Sequence, residues 1–126
     1  MVSGMLAQKG YMRKLRRCEE MEGVLGRVAE HKVYTLIIPK KFYRKFLASE
    51  KVVLEYNEAL DILRIIPISR FPVNLKGNSI VRSLTRAGAS MRITIPQEIA
   101  SKWIEKSKGY VTIWEDEDAI NVRPRQ

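Results

Sequence analysis

The chain of 126 residues carries 45% hydrophobic and 29% charged side chains, a mixture that builds a folded core and excludes a disordered tail, and its length suits one ordinary domain or two units too small to be stable separately. Lys and Arg outnumber Asp and Glu by 23 to 14, a formal charge of +9, so a polyanionic partner is the first expectation and a basic surface without function the bland alternative. The lone Cys18 excludes an intrachain disulfide and a multi-cysteine metal site, and the lone His31 reads as a solvated side chain.

Residues 1–22 place Leu6, Tyr11, Leu15 and Cys18 at near-helical intervals beside Lys9, Arg13, Lys14, Arg16 and Arg17, which predicts a basic arm or short helix, an unstructured leader being the alternative. The early sequence has no signal-peptide core and no apolar run nears the roughly twenty residues of a membrane span, so a soluble cytoplasmic protein is expected. From Val24 the pattern is that of strands. "VYTLIIP" is rich in β-branched and aromatic residues and is closed by Pro39, which suits the start of a helix better than the middle of a sheet. "KKFYRKFLAS" then sets Phe42 and Phe46 on one helical face with Leu47 beside them. "KVVLEYNEALDILRIIPI" reads as a hairpin turning at "NEA", with Glu55 and Arg64 on a wetter face than Leu54, Tyr56, Leu63 and Ile65.

The stretch 69–79, with Pro72, Gly77 and Asn78, breaks the periodicity and reads as a linker. Beyond it "SIVRSLTRAGASMRITIP" predicts strand, Gly-containing turn and strand. "QEIASKWIEKSKG" predicts a helix with Ile99 and Trp103 four apart, Ile104 adjacent and Gly109 at its end. "YVTIWEDEDAINVRP" predicts a second hairpin whose tip is the acidic "EDED".

Pro39 and Pro96 are 57 residues apart, and so are Pro67 and Pro124. At that offset Val24 meets Val81, Phe42 meets Ile99, Lys45 meets Lys102, Phe46 meets Trp103, Leu47 meets Ile104 and Lys51 meets Lys108, the mark of an internal duplication. The expected organisation is an arm at 1–22, a first unit at 23–68, the linker at 69–79 and a second unit at 80–126. Each unit would close the core that the other lacks, and fusion in one chain removes any concentration dependence from their assembly.

"IVRSLTRAG" followed by "MRITIPQEI" resembles the AbrB/SpoVT-like swapped-hairpin DNA-binding family, and the resemblance covers Val24–Pro67 and Ile80–Pro124. It implies a mainly β fold with short helices: tandem swapped-hairpin units interlaced into one intrachain pseudo-dimeric β-barrel. It also implies a DNA-binding surface, as of a transcriptional regulator or chromatin-associated protein. Arg82 and Arg92 stand where the family's DNA-facing basic residues occur, with Gly88 in the turn and Arg86 beside it, in a turn a few residues longer than is usual. The first unit departs from the pattern: Thr35 replaces the strand-leading Arg, its turn "AEHK" lacks Gly, and its cations are Arg27, Lys32, Lys40, Lys41, Arg44 and Lys45.

An Arg-bearing two-stranded ribbon fits a major groove, so the candidate nucleic-acid contacts are Arg82, Arg86, Arg92, Arg27, Lys32, Lys40 and Lys41, with Arg13, Arg16 and Arg17 of the arm. The lysines of "KKFYRK" read equally as a solvated helix face, and Trp103, Trp114, Tyr34 and Tyr56 read as core in preference to base-stacking platforms. The acids at 115–118 lack the spacing of a calcium loop and are expected away from any nucleic-acid face. No nucleophile–base pattern, Gly-rich phosphate loop or metal-ligand set occurs in the sequence, which predicts a non-enzyme without cofactor or metal. Two alternatives stay open, an RNA or ribonucleoprotein component acting through the basic arm and an antitoxin-like protein-interaction module. A monomeric pseudo-dimer and a homodimer are both compatible with the repeat.

Overall fold

The computed structural model describes residues 20–28, 33–68 and 79–125. In chain order the elements are β1 (Met21–Val28), β2 (Val33–Ile37), a 3-10 turn (Lys40–Phe42) running into α1 (Tyr43–Phe46), β3 (Lys51–Asn57), β4 (Ile62–Pro67), β5 (Ser79–Ser83), β6 (Thr85–Ala87), β7 (Ser90–Ile95), α2 (Gln97–Ser107), β8 (Tyr110–Glu115) and β9 (Ile120–Pro124). The nine strands form one antiparallel sheet in the order β5-β3-β4-β9-β8-β1-β2-β7-β6, curled into a nearly closed barrel. Its end strands, β5 and β6, are joined through Leu84 alone, so the chain itself crosses the seam.

The ladders carry the swap that the repeat predicts. The first half of β1 pairs with β8 of the other unit and its second half with β2 of its own. In the same way β5 pairs with β3 of the first unit, after which β6 pairs with β7. Across the barrel Leu36 faces Ile93 and Arg64 faces Asn121, and the members of each pair differ by the repeat offset of 57. Both pairs therefore mark a pseudo-two-fold axis, which in a fused chain does the work of an isologous dimer interface. The anchoring prolines agree: Pro39 (φ −59°, ψ 143°) and Pro96 (φ −53°, ψ 137°) each precede a helical segment, and Pro67 and Pro124 each end a strand.

The copies differ at the seam. Thr35 faces Gly26, whereas its repeat counterpart Arg92 faces Thr85, which lies 59 residues beyond Gly26 instead of 57. The second hairpin is no longer than the first from Val81 to Arg92, but two of its residues pass from the turn into the strand, so the turn between Ala87 and Ser90 is tight, with Gly88 at φ 61°, a conformation that disfavours a Cβ. In consequence Arg86, opposite Met91, stands where Arg27 stands opposite Tyr34.

One apolar core fills the barrel and draws on both units. Leu36, Phe42, Phe46, Leu54, Leu63 and Ile65 pack with Ile93, Ile95, Trp103, Val111, Ile113 and Val122. The matched positions Phe46 and Trp103 are both fully buried, and each such side chain contributes roughly 2–3 kcal/mol on leaving water. Val53, Ile66 and Ala119, with Ile68 against them, form a separate cluster on the opposite face of the sheet.

Four expectations are corrected. Met21 and Glu22 belong to β1 and not to an arm, while residues 1–19 of the arm, Cys18 among them, with His31 and the linker before Ser79, lie outside the described residues. Leu47 is 64% exposed, because α1 ends at Phe46 before a further turn could bring it inward. Trp114 lies on the outer face of β8, since Val111 and Ile113 take the inward phase, and the Arg123 guanidinium covers its ring at 5.2 Å. The first hairpin turns at 58–61, after "VVLEYN" has run on through Asn57, whose Oδ1 accepts from the Leu60 amide.

Candidate nucleic-acid interface

Inward positions of β7 are taken by Met91, Ile93 and Ile95, so its alternation turns Arg92 and Thr94 outward. Arg92 lies between Ile37 of β2 and Thr85 of β6, and its Nε is enclosed without a hydrogen-bond partner. Beyond Ile37 the Ile38 amide still donates to the Met91 carbonyl (2.9 Å), after which Pro39 redirects the chain into the 3-10 turn and α1. Phe42 and Phe46 anchor that segment in the core, and the Tyr43 hydroxyl accepts from the Met91 amide (3.3 Å). With its apolar stripe buried, the segment presents Lys40, Lys41 and Arg44 to solvent, the first of them three residues beyond Ile37, which lies opposite Arg92. Lys40, Lys41, Phe42, Arg44, Lys45 and Glu115 line a shallow cleft of ≈ 510 Å³ there.

Arg86 does something else on this face. Its Nη2 donates to the carbonyls of Phe46 (3.0 Å), Ser49 (2.9 Å) and Leu47 (3.4 Å). A four-residue helix leaves most of its C-terminal carbonyls without partners, and this guanidinium supplies them. The longer α2 needs no such help: the Lys108 and Gly109 amides, both residues at positive φ, donate back to Ile104 and Trp103.

The remaining sequence candidates scatter. Arg82 faces Val52 and so shares its side of the sheet, half-buried at the end of β5. Arg27 is exposed on β1 opposite Tyr34, two residues beyond Leu25, whose amide donates to the Gly109 carbonyl just past α2. Lys32, Arg13, Arg16 and Arg17 lie outside the described residues. The acids at 115–118, expected away from any nucleic-acid face, border the basic helix: Lys45, 11% exposed, pairs with Glu115 (3.3 Å) and donates to the Glu117 carbonyl (3.4 Å). The swap brings the second unit's hairpin onto the first unit's helix.

Several cations elsewhere are matched, Arg64 with Asp116 (3.0 Å), Lys106 with Asp61 (2.6 Å), Arg125 with Glu22 (3.1 Å) and Arg123 with Glu20 (3.9 Å), while Arg27, Lys51, Arg82 and Lys108, on β1, β3, β5 and the turn after α2, make no ion pair among the described residues. Among the described residues Lys40, Lys41, Arg44 and Arg92 make no ion pair.

Two networks that spacing did not foreshadow hold the barrel ends. Asp61, at φ 57° in the first hairpin, accepts from Trp103 Nε1 (2.8 Å), Lys106 Nζ (2.6 Å) and the Tyr56 hydroxyl, which itself accepts from Lys102 Nζ (2.8 Å). Burial works to raise the Asp61 carboxyl, but the bonds from Lys106, Trp103 and Tyr56 outweigh it and hold it below the usual carboxylate range. Burial, reinforced by the bond to Asp61, raises the Tyr56 hydroxyl. At the other end Asp116 accepts from Arg64, from Asn121 and from the Asp118 and Ala119 amides. Burial again opposes ionisation, and these donors prevail, bringing the carboxyl to about 2. No group of three or more His, Cys, Asp or Glu among the described residues is placed to hold a metal ion, and no described helix is long and apolar enough to cross a membrane.

No protein-family model, curated protein or solved structure matches the chain.

Proposed function

We propose that the chain is a DNA-binding protein, a transcriptional regulator or chromatin-associated protein, that grips the duplex backbone with the face formed by α1 and β7. The observation that carries this reading is the cluster of Lys40, Lys41 and Arg44, which line one cleft and make no ion pair among the described residues, with Arg92 of the second unit turned outward on β7 opposite Ile37, in a protein of charge +9. A duplex supplies the regularly spaced anions that such a surface lacks, and release of its counterions would drive binding. The resemblance to swapped-hairpin DNA-binding proteins points the same way. Arg86 leaves the contact set, since its guanidinium is engaged by three carbonyls.

The test is a fluorescence-polarisation titration of mixed-sequence duplex DNA, with matched RNA alongside, at several salt concentrations. Four phosphate contacts predict a log–log salt slope of about −3 to −4, and Lys40→Ala/Lys41→Ala/Arg44→Ala should bring it close to −1. Absence of binding at low salt, or binding to RNA alone, would overturn the reading.

A further inference from the structure

The pseudo-two-fold axis predicts two equivalent faces, yet their charges are not equivalent. At the offset of 57, Lys40 becomes Gln97, Lys41 becomes Glu98, Arg44 becomes Ser101, and Arg92 corresponds to Thr35. Gln97, Glu98 and Ser101 are exposed on α2, so no burial requirement explains the loss of charge. The cations that α2 does carry along its length are engaged, Lys102 by Tyr56 and Lys106 by Asp61. Glu98 adds an anion where the first unit has Lys41, in a first helical turn whose dipole favours it. On this corner the exposed Arg27 and, past the helix end, Lys108 remain.

From this we infer that the chain binds one duplex and not two: its nucleic-acid surface is a single asymmetric face, made where the first unit's helix meets the second unit's hairpin. The inference rests on reading the α1 face as the DNA contact. The interlaced topology makes such a face composite, because β7 belongs to the second unit and lies against the chain that leads into α1. A duplex lying there meets Lys40, Lys41, Arg44 and Arg92, with the tip at 116–119 bounding it on the Lys45 side, where like charges repel the backbone. A duplex laid on the α2 corner meets Glu98 instead. The two-fold symmetry of the fold is thus not passed on to the ligand, and a palindromic pair of half-sites is not what one chain would read.

Native mass spectrometry of the full chain with a duplex of about one helical turn, roughly 10 base pairs, counts chains and duplexes in the same complex. Wild type should saturate at one duplex per chain. Gln97→Lys/Glu98→Lys/Ser101→Arg, which copies the first unit's charges onto α2 at exposed positions, should take a second duplex. Arg27→Ala should leave the dissociation constant within about twofold, while Lys40→Ala/Lys41→Ala/Arg44→Ala should raise it on the order of tenfold or more. Two duplexes on wild type, a copied face that still takes one, or a loss on Arg27→Ala as large as that of the α1 variant would overturn the inference and leave DNA binding standing. No binding by wild type at low salt would instead remove the DNA reading beneath it, and the inference with it.

Discussion

The two corners of the barrel descend from one pattern and differ in what their charged groups do. At the α2 corner Lys102, Lys106, Tyr56 and Trp103 converge on the Asp61 hairpin, so side chains of the second unit's helix are fixed to a loop of the first. At the α1 corner Lys45 reaches the second unit's acidic tip and Tyr43 its Met91 amide, and the helix end is held by an arginine from a neighbouring strand. The difference teaches that duplication inside one chain relieves each copy of having to be complete. One corner bonds its charges internally, while the other leaves Lys40, Lys41 and Arg44 without an ion pair among the described residues.

The sharpest way to break this comparison is at Asp61 and its repeat counterpart Asp118. Asp61→Ala strips partners from the enclosed Trp103 indole, from Lys106 and from Tyr56, and an orphaned buried donor alone costs about 1–3 kcal/mol, so a loss of roughly 2–3 kcal/mol is expected. Asp118, exposed at its hairpin tip, makes no side-chain hydrogen bond or ion pair among the described residues, and Asp118→Ala should stay within about 0.5 kcal/mol. Urea melts of the two variants check this, and equal losses would deny that the corners differ in internal bonding.

Next in size is the pair Arg86 and Arg27, which occupy matched places on the two hairpins. Arg86→Ala leaves the carbonyls of Phe46, Leu47 and Ser49 to water and should cost about 2 kcal/mol, with the loss localised by hydrogen exchange to 43–49. Lys at position 86 should recover little, since an ammonium cannot bridge carbonyls as the planar fork does. Arg27→Ala should cost no more than about 0.5 kcal/mol, because α2 closes its own carbonyls through Lys108 and Gly109. If Arg86→Ala proves thermodynamically silent yet weakens DNA binding, Arg86 returns to the contact set.

Much of the fold was legible because its signals are local. Proline fixes φ, so Pro39 and Pro96 mark the two helix starts and Pro67 and Pro124 the two strand ends, and the constant offset exposes the repeat. Phe42 with Phe46, and Ile99 with Trp103, show their buried faces by spacing alone. Trp114 was also within reach, for an alternation anchored on Val111 and Ile113 turns it outward. What no local pattern carries is the pairing of Arg86 with α1, 40 residues distant at Phe46, or of Asp61 with Trp103, 42 residues distant. Both arise from the swap, which brings each hairpin against the other unit's helix. For the same reason the acidic tip comes to rest beside the basic helix, a neighbour that no local pattern names.

The smallest expected effect is acid sensitivity, and it tests the ends of the barrel against each other. Asp116 is held at about 2 and Asp61 is lowered too, both from an ordinary value of 3.8. A carboxylate depressed on folding contributes stability that is complete above its unfolded value and is lost as pH falls toward its folded one. The melting temperature should therefore be insensitive to these two groups above about pH 4 and fall between about pH 4 and 2. The Asp116 side chain is 38% exposed, so solvent screens its pairing with Arg64 and its share of that fall should be modest. Asp116→Asn should lower the melting temperature at neutral pH and flatten the acid limb, while Asp61→Asn should flatten it further, since the Asp61 carboxylate is more enclosed, at 14% exposure. The tryptophans separate the ends: Trp103 donates to Asp61, whereas Trp114 faces Asn121, a donor to Asp116. In Trp114→Phe the remaining fluorescence follows Asp61 alone, and in Trp103→Phe it follows the Asp116 end. If both reporters shift at one pH, with the unfolding transition, the ends yield together as a single cooperative unit; a Trp114 response at higher pH than that of Trp103 would place the weaker carboxylate network at the end that borders the proposed DNA face.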